Sequence, residues 1–313
     1  MRGSRLRVFN LEFSIQHLKS GGEMSCRKSV LLIILMAAAF SGVSAQNEKR
    51  KPPVVRQVAR VLIEAGDPVA LFDFFSAELQ LPVAWQMAEN QGSTSGGVSA
   101  GNVNIEFFGP AKKQGEAARK EAHARFSGLS LEPYALSDAL KELKARGIPY
   151  GDPQPYNSLL PDGTQGAMWT TVPLPSVAKS GITVFLFEYS PKFLNEDIRR
   201  KQLGNRLTLN SGGPIGILSL DEIVISGPDG DREAWARLLG EQSAGGNWNL
   251  SAGPKIRFVQ GAEYQIRKII FKIKSLAQAK TFLAADRMLG EVSAKELTLN
   301  RTRLQGLDIG LVE

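Results

Sequence analysis

Arg60–Trp85 reads RVLIEAGDPVALFDFFSAELQLPVAW. It opens as a short apolar strand, after which Asp67 can cap a helix and Pro68 suits the first helical turn, where a missing N–H costs nothing. Leu71, Phe72, Phe75 and Leu79 then recur at helical spacing and form one apolar stripe, before a second strand begins near Val83. Strand, cap, amphipathic helix and strand is the unit from which the rest of the chain can be read.

The unit returns three more times. In Gly128–Tyr150, GLSLEPYALSDALKELKARGIPY, the residues Leu136, Leu140 and Leu143 share a face and the helix stops at Gly147. In Leu220–Gly240, LDEIVISGPDGDREAWARLLG, the helix carries Trp235, Leu238 and Leu239. In Ile266–Gly290, IRKIIFKIKSLAQAKTFLAADRMLG, Ser275 is the cap, and Leu276, Ala279, Phe282 and Leu283 face inward. Strand-like pieces follow each helix, the clearest being NVNIEFF, GITVFLFEYS, KIRFVQG and the terminal GLDIGLVE. Four repeated α+β modules are therefore expected, with residues 192–214 read as a linker between two pairs. A doubly wound parallel sheet is the structural alternative, but no Gly-rich phosphate loop follows any strand.

Gly101–Phe108, GNVNIEFF, sets a carboxylate in a half-buried strand. Val103, Ile105 and Phe107 alternate on one face, and Asn102, Asn104, Glu106 and Phe108 on the other. Glu106 can be read as a metal ligand, a catalytic base or half of an ion pair.

Met24 to Gln46 has the three parts of a secretory signal: Arg27 and Lys28, an apolar run from Val30 to Phe40, and a small-x-small site at Val43-Ser44-Ala45. The mature chain is expected to start at Gln46, with Met24 the true initiator, no stable membrane anchor after cleavage, and a periplasmic or secreted destination. Residues 1–45 hold six of the 38 Lys and Arg and two of the 31 Asp and Glu, so 32 and 29 remain and the net charge falls from +7 to about +3. That balance gives no support to a nucleic-acid partner. The only cysteine, Cys26, leaves with the signal, so a hydrophobic core rather than disulfides must hold the mature chain. Without a cysteine, with His123 as the only mature histidine and no Gly-x-Ser-x-Gly elbow, nucleophilic catalysis has little to build on.

DPVALFDFFSAELQLPVAW, followed by SGGVSAGNVNIEFFG and then LKARGIPYG, MWTTVPL and VFLFEYSP, resembles the vicinal oxygen chelate superfamily, the glyoxalase, bleomycin-resistance and dioxygenase group. The likeness is best over residues 55–191 and weaker over 215–313. It implies an α+β fold of four βαβββ modules, paired into two glyoxalase-like domains with U-shaped mixed sheets. The expected domains are residues 46–191 and a more divergent 215–313. The resemblance also implies a metal held by a His or Gln on the first strand of each module and a Glu on its last. Those positions fall here on Arg60, Gly128, Glu222 and Lys268, and on Glu106, Phe185, Arg257 and Gly310.

Only Glu106 and Glu222 among these could bind a divalent cation, and they belong to different pairs. The expectation is therefore a cavity with no cofactor and no metal, a divalent metal being the alternative. Neighbouring first and last strands should bring Arg60 to Glu106 and Glu222 to Arg257, as guanidinium-carboxylate forks in the space of a metal. The expected site comprises Glu106 as the catalytic candidate and Arg60, Asn104, Phe108, Trp169 and Phe185 around a small organic ligand. Trp85, Phe108, Trp169, Phe185 and Phe187 all fall on expected strands, where aromatics usually belong to a core, yet Phe108 and Phe185 should point into the cavity. The function read from this is an exported protein with an apolar cavity that binds a small organic molecule without a metal. The alternative is a glyoxalase-type lyase or isomerase, or an extradiol-dioxygenase-like enzyme acting through Glu106. An oligomer is left open.

Overall fold

The computed structural model describes residues 53–90, 92–111 and 123–313. The lead and export signal expected over residues 1–45 lie outside the described residues. Lys51–Glu313 forms one compact unit.

The first module runs through β1 (Gln57–Ala65), α1 (Pro68–Asp73), β2 (Val83–Asn90), β3 (Ser93–Ser99) and β4 (Asn104–Pro110). Asp67 Oδ1 accepts from the Ala70 N–H at 3.2 Å and so starts α1, which continues through a π-helical turn at Phe74–Glu78. The second module is β5 (Ala124–Glu132), α2 (Leu136–Ala145), β6 (Gln154–Leu159), β7 (Gln165–Pro173) and β8 (Thr183–Tyr189). After α3 (Glu196–Leu209), the third is β9 (Ile217–Gly227), α4 (Asp229–Leu239), β10 (Asn247–Trp248) and β11 (Lys255–Gln260). The fourth is β12 (Gln265–Ile273), α5 (Leu276–Ala285), β13 (Leu289–Val292), β14 (Leu297–Leu299) and β15 (Ile309–Val312). Ser275 caps α5 by accepting from the Gln278 N–H at 3.3 Å.

Each pair of modules makes one curled mixed sheet. The first has eight strands in the order β2-β3-β4-β1-β5-β8-β7-β6, the second seven in the order β10-β11-β9-β12-β15-β14-β13. In both, the opening strands of two modules run antiparallel at the centre, and each pairs in parallel with the last strand of its own module. The third module has two strands after its helix where three were expected, which is why the second sheet is one strand shorter.

One face of each sheet is packed by helices. Val61, Ile63, Ile105, Phe107, Leu129 and Leu186 are wholly buried together with Phe75 and Leu79 of the α1 segment, and the Phe75 and Phe107 rings lie 5.0 Å apart. Each such side chain contributes about 1.5–3 kcal/mol on leaving water. The alternation in Gly101–Phe108 is thereby explained: Val103, Ile105 and Phe107 belong to this layer, and Glu106 is left on the opposite face.

The segment read as a linker holds a 14-residue helix. Asn195 caps α3 by accepting from the Ile198 N–H at 3.1 Å, Glu196 and Asp197 suit the positive end of the helix dipole, and Leu203 and Leu207 anchor it. Among the described residues no helix is long and apolar enough to cross a membrane.

The two halves interlock. The Asn102 side chain donates to the Leu220 carbonyl at 2.8 Å and accepts from the Leu220 N–H at 3.0 Å, completing a backbone-like bridge to β9. Tyr264 of the second half donates its hydroxyl to the Val177 carbonyl of the first and accepts from the Trp235 indole at 3.0 Å.

Candidate functional site

Arg60 sits at the middle of β1, beside its register partner Asn104 on β4. Because Val61 and Ile63 face the helices, Arg60 faces away, and so do Asn104 and Glu106 on β4. Glu106 Oε2 accepts from Arg60 Nη1 at 3.1 Å, with the two side chains 19% and 16% exposed. The ion pair expected from the sequence is present, but as a single prong rather than a fork, because Arg60 Nη2 donates to the Tyr189 hydroxyl.

The guanidinium is wrapped in aromatic faces. Its carbon lies 4.3 Å from the Phe187 ring centre, 5.1 Å from Trp85 and 5.5 Å from Tyr189. Burial works against its charge, yet Tyr189 and Glu106 outweigh it and hold the Arg60 pKa above its ordinary value. Burial likewise pushes the Tyr189 phenol up, with Arg60 opposing. Trp85 reaches Arg60 because β3 has Gly97 at the crossing, where a Cβ would come within 2.5 Å of the indole. The wall continues through Trp169, stacked on Tyr156 at 4.3 Å and 4°, and Phe193, 5.9 Å from Tyr189.

Helix α3 closes the space from above. Glu196, Arg199 and Leu203 join Arg60, Trp85, Ser95, Asn104, Glu106, Tyr156, Trp169, Tyr189 and Phe193 around a cleft of about 460 Å³. Arg199 donates to the Ala84 carbonyl at 2.7 Å, and burial followed by nearby Arg206 lowers its pKa. Burial raises the Glu196 carboxyl above its usual range, against the pull of Arg200 at 3.0 Å. A second cleft of about 220 Å³ shares Arg60, Tyr189 and Glu196. It is edged by a charge network in which Glu132 holds Arg56 and Arg200, and Arg56 holds Asp197.

The structure brings Arg60, Asn104, Glu106 and Trp169 together. Phe108 and Phe185 are half-buried on their strands and line neither cleft around Arg60. Trp85 and Phe187 touch the guanidinium, Phe187 while being buried as a core residue is. Tyr189, Tyr156, Phe193, Glu196 and Arg199 were not foreseen. Tyr189 could have been found by continuing the two-residue period from Phe185 and Phe187. His123 is exposed before β5.

The second sheet repeats the motif with its charges exchanged. Glu222 Oε1 on β9 accepts from Arg257 Nε on β11 at 2.6 Å, with Lys255 3.5 Å from the other oxygen. Lys268 finds Glu296, and room for that pair exists because β15 carries Gly310, whose Cβ would fall 2.5 Å from the Glu296 oxygen.

Paired modules around two curled mixed sheets, with their first and last strands side by side, make a double-domain fold like that of the vicinal oxygen chelate proteins. No family model matches the chain, and no curated protein matches it by sequence. Among solved structures, it is similar to homoprotocatechuate 2,3-dioxygenase from Brevibacterium fuscum in complex with 3,4-dihydroxyphenylacetate. The identity is 12% and the TM-score 0.53, over 85% of this chain and 84% of that one. It is also similar to homoprotocatechuate 2,3-dioxygenase from Arthrobacter globiformis, at 12% identity and a TM-score of 0.51, over 84% and 80% of the two chains.

These neighbours correct one expectation. Extradiol dioxygenases are metal-dependent, so a cavity working without any cofactor is not what this fold carries with it, and that reading is withdrawn. The side chains of this chain, however, do not fit a metal at the positions the resemblance implies. Among the described residues no three His, Cys, Asp or Glu converge, and Glu106 shares its place with a guanidinium, which repels a cation.

Proposed function

We propose that the cleft between the first sheet and α3 binds a flat, ring-shaped organic molecule, and that the protein is exported to do so. One observation carries the binding reading: Trp85, Tyr156, Trp169, Tyr189 and Phe193 line one cleft that also holds Arg60, Asn104 and Glu106. Aromatic walls supply sequence-tolerant stacking, and a few convergent polar groups set orientation. Export is supported by the sequence from Met24 to Gln46.

Titration with bicyclic aromatic ring compounds is expected to quench the emission of Trp85 and Trp169, and the quench should weaken at least tenfold in Trp169→Leu. Absence of both quench and calorimetric heat across such a panel would overturn the reading. N-terminal sequencing of the protein from cell fractions tests export, with Gln46 as the expected first residue.

A ring-cleaving enzyme is the second reading. It is favoured by the likeness of fold and by Glu106 Oε1, which has no hydrogen-bond partner among the described residues and lines the cleft. Turnover of a catechol that disappears in Glu106→Gln would select it.

A further inference from the structure

The polar end of the cleft contains groups that the protein itself leaves unused. Asn104 is only 8% exposed, and its side-chain amide makes no hydrogen bond among the described residues, though it lines the cleft. Its amide atoms are not shut off from solvent, so they open to the cleft and are available to a ligand. Beside it, the Ser95 hydroxyl and Glu106 Oε1 have no partner among the described residues, and Arg60 spends two of its five N–H donors, one on Glu106 and one on Tyr189. The unused set therefore combines donors (Arg60, Asn104 Nδ2) with acceptors (Asn104 Oδ1, Glu106 Oε1) on adjacent strands.

We propose that the ligand is a flat heterocycle with an N–H and a C=O side by side, a ring lactam, whose amide edge pairs with the Asn104 amide and is bracketed by Arg60 and Glu106. This rests on the ring-binding reading above and specifies its ligand class. A primary amide offers one donor and one acceptor in a fixed plane, and a cyclic cis-amide is its complement. The alternatives match this set less well. A carboxylate would suit Arg60 but would face the Glu106 oxygen and leave Asn104 Oδ1 unpaired. An ammonium would meet Arg60 and Arg199. A ring ether or a plain carbonyl would give Asn104 Oδ1 and Glu106 Oε1 nothing to accept. Sites built to hydrogen-bond a group reject the analogue that lacks it far more strongly than apolar pockets reject a missing methylene.

The test uses the whole protein and four probes of one size: 2-quinolone, N-methyl-2-quinolone, 2-methoxyquinoline and quinoline-2-carboxylate. Affinities are measured by calorimetry. The expected result is 2-quinolone binding at least tenfold tighter than each of the other three, with that preference lost in Asn104→Ala. Equal affinity for the four overturns the lactam assignment while leaving ring binding intact. Tightest binding of the carboxylate overturns it too, in favour of an anion on Arg60. Binding of none of the four overturns the ring-binding reading itself. Should Asn104→Ala fold poorly, the probe series on the unaltered protein decides the question alone.

Discussion

Replacing Arg60 by Met and Glu106 by Leu, singly and together, measures what the buried ion pair contributes. At a separation of about 4 Å between charges and an effective dielectric near 20, the gross attraction is about 4 kcal/mol. Two features of the site reduce it. The contact is one hydrogen bond at 3.1 Å rather than a fork, and both side chains have been largely taken out of water. Desolvation and lost side-chain freedom offset more than half, leaving a coupling of about 1–2 kcal/mol. Glu106→Leu alone should cost about 1–2 kcal/mol, since Arg60 keeps Tyr189 and three aromatic faces. Arg60→Met should cost about 2–4 kcal/mol, because it strands the carboxylate and removes the cation–π contacts as well. Urea unfolding at pH 7 of the four proteins gives the cycle. A coupling below about 0.5 kcal/mol, within the scatter of independent sites, would show that the two groups do not support each other and would refute the geometry.

Three further outcomes follow from the same site and its supports. Gly97→Ala places a Cβ 2.5 Å from the Trp85 indole and should destabilise the fold by about 1–3 kcal/mol while displacing Trp85, seen as a lower melting temperature and altered tryptophan emission; an unchanged melting curve would contradict the packing. Burial raises the Glu196 pKa, so the folded state holds that proton more tightly than the unfolded chain. Its contribution is then present below the ordinary value of 4.5 and lost as pH rises through the raised folded value. Glu196→Gln should accordingly gain on the parent as pH is raised from 4.5 to 7.5, and a difference independent of pH would count against it. Asn102→Ala breaks both hydrogen bonds to Leu220 and should cost about 1–3 kcal/mol in urea unfolding; a cost near zero would mean that water replaces the bridge.

The modules were legible because their signals are local. Asp67 and Ser275 act as the caps their positions promise, Leu71, Phe72, Phe75 and Leu79 are buried at the spacing that marks them, and the period of two in Val103, Ile105 and Phe107 fixes which way Glu106 points. Register then carries Arg60 to Glu106 and Glu222 to Arg257, two contacts between distant residues that the repeat made readable. The roof of the site was not readable. Helix α3 is polar along most of its length and buries only Leu203 and Leu207, so no strong apolar stripe announces it, and its placement over Trp85 and Asn104 is a tertiary matter. Phe108 and Phe185 lie outside the two clefts around Arg60 for a related reason: facing the right side of a sheet does not tell how far along a curved surface a cleft extends.

The hydroxyl of Tyr264 ending on the Val177 carbonyl has a consequence for how the molecule comes apart. A repeated architecture invites the picture of two separable barrels, each melting on its own. With a buried phenol of one half supplying the donor for a backbone acceptor of the other, cutting the chain after α3 would orphan polar groups on both sides of the cut. The halves should therefore unfold in a single calorimetric transition rather than in two.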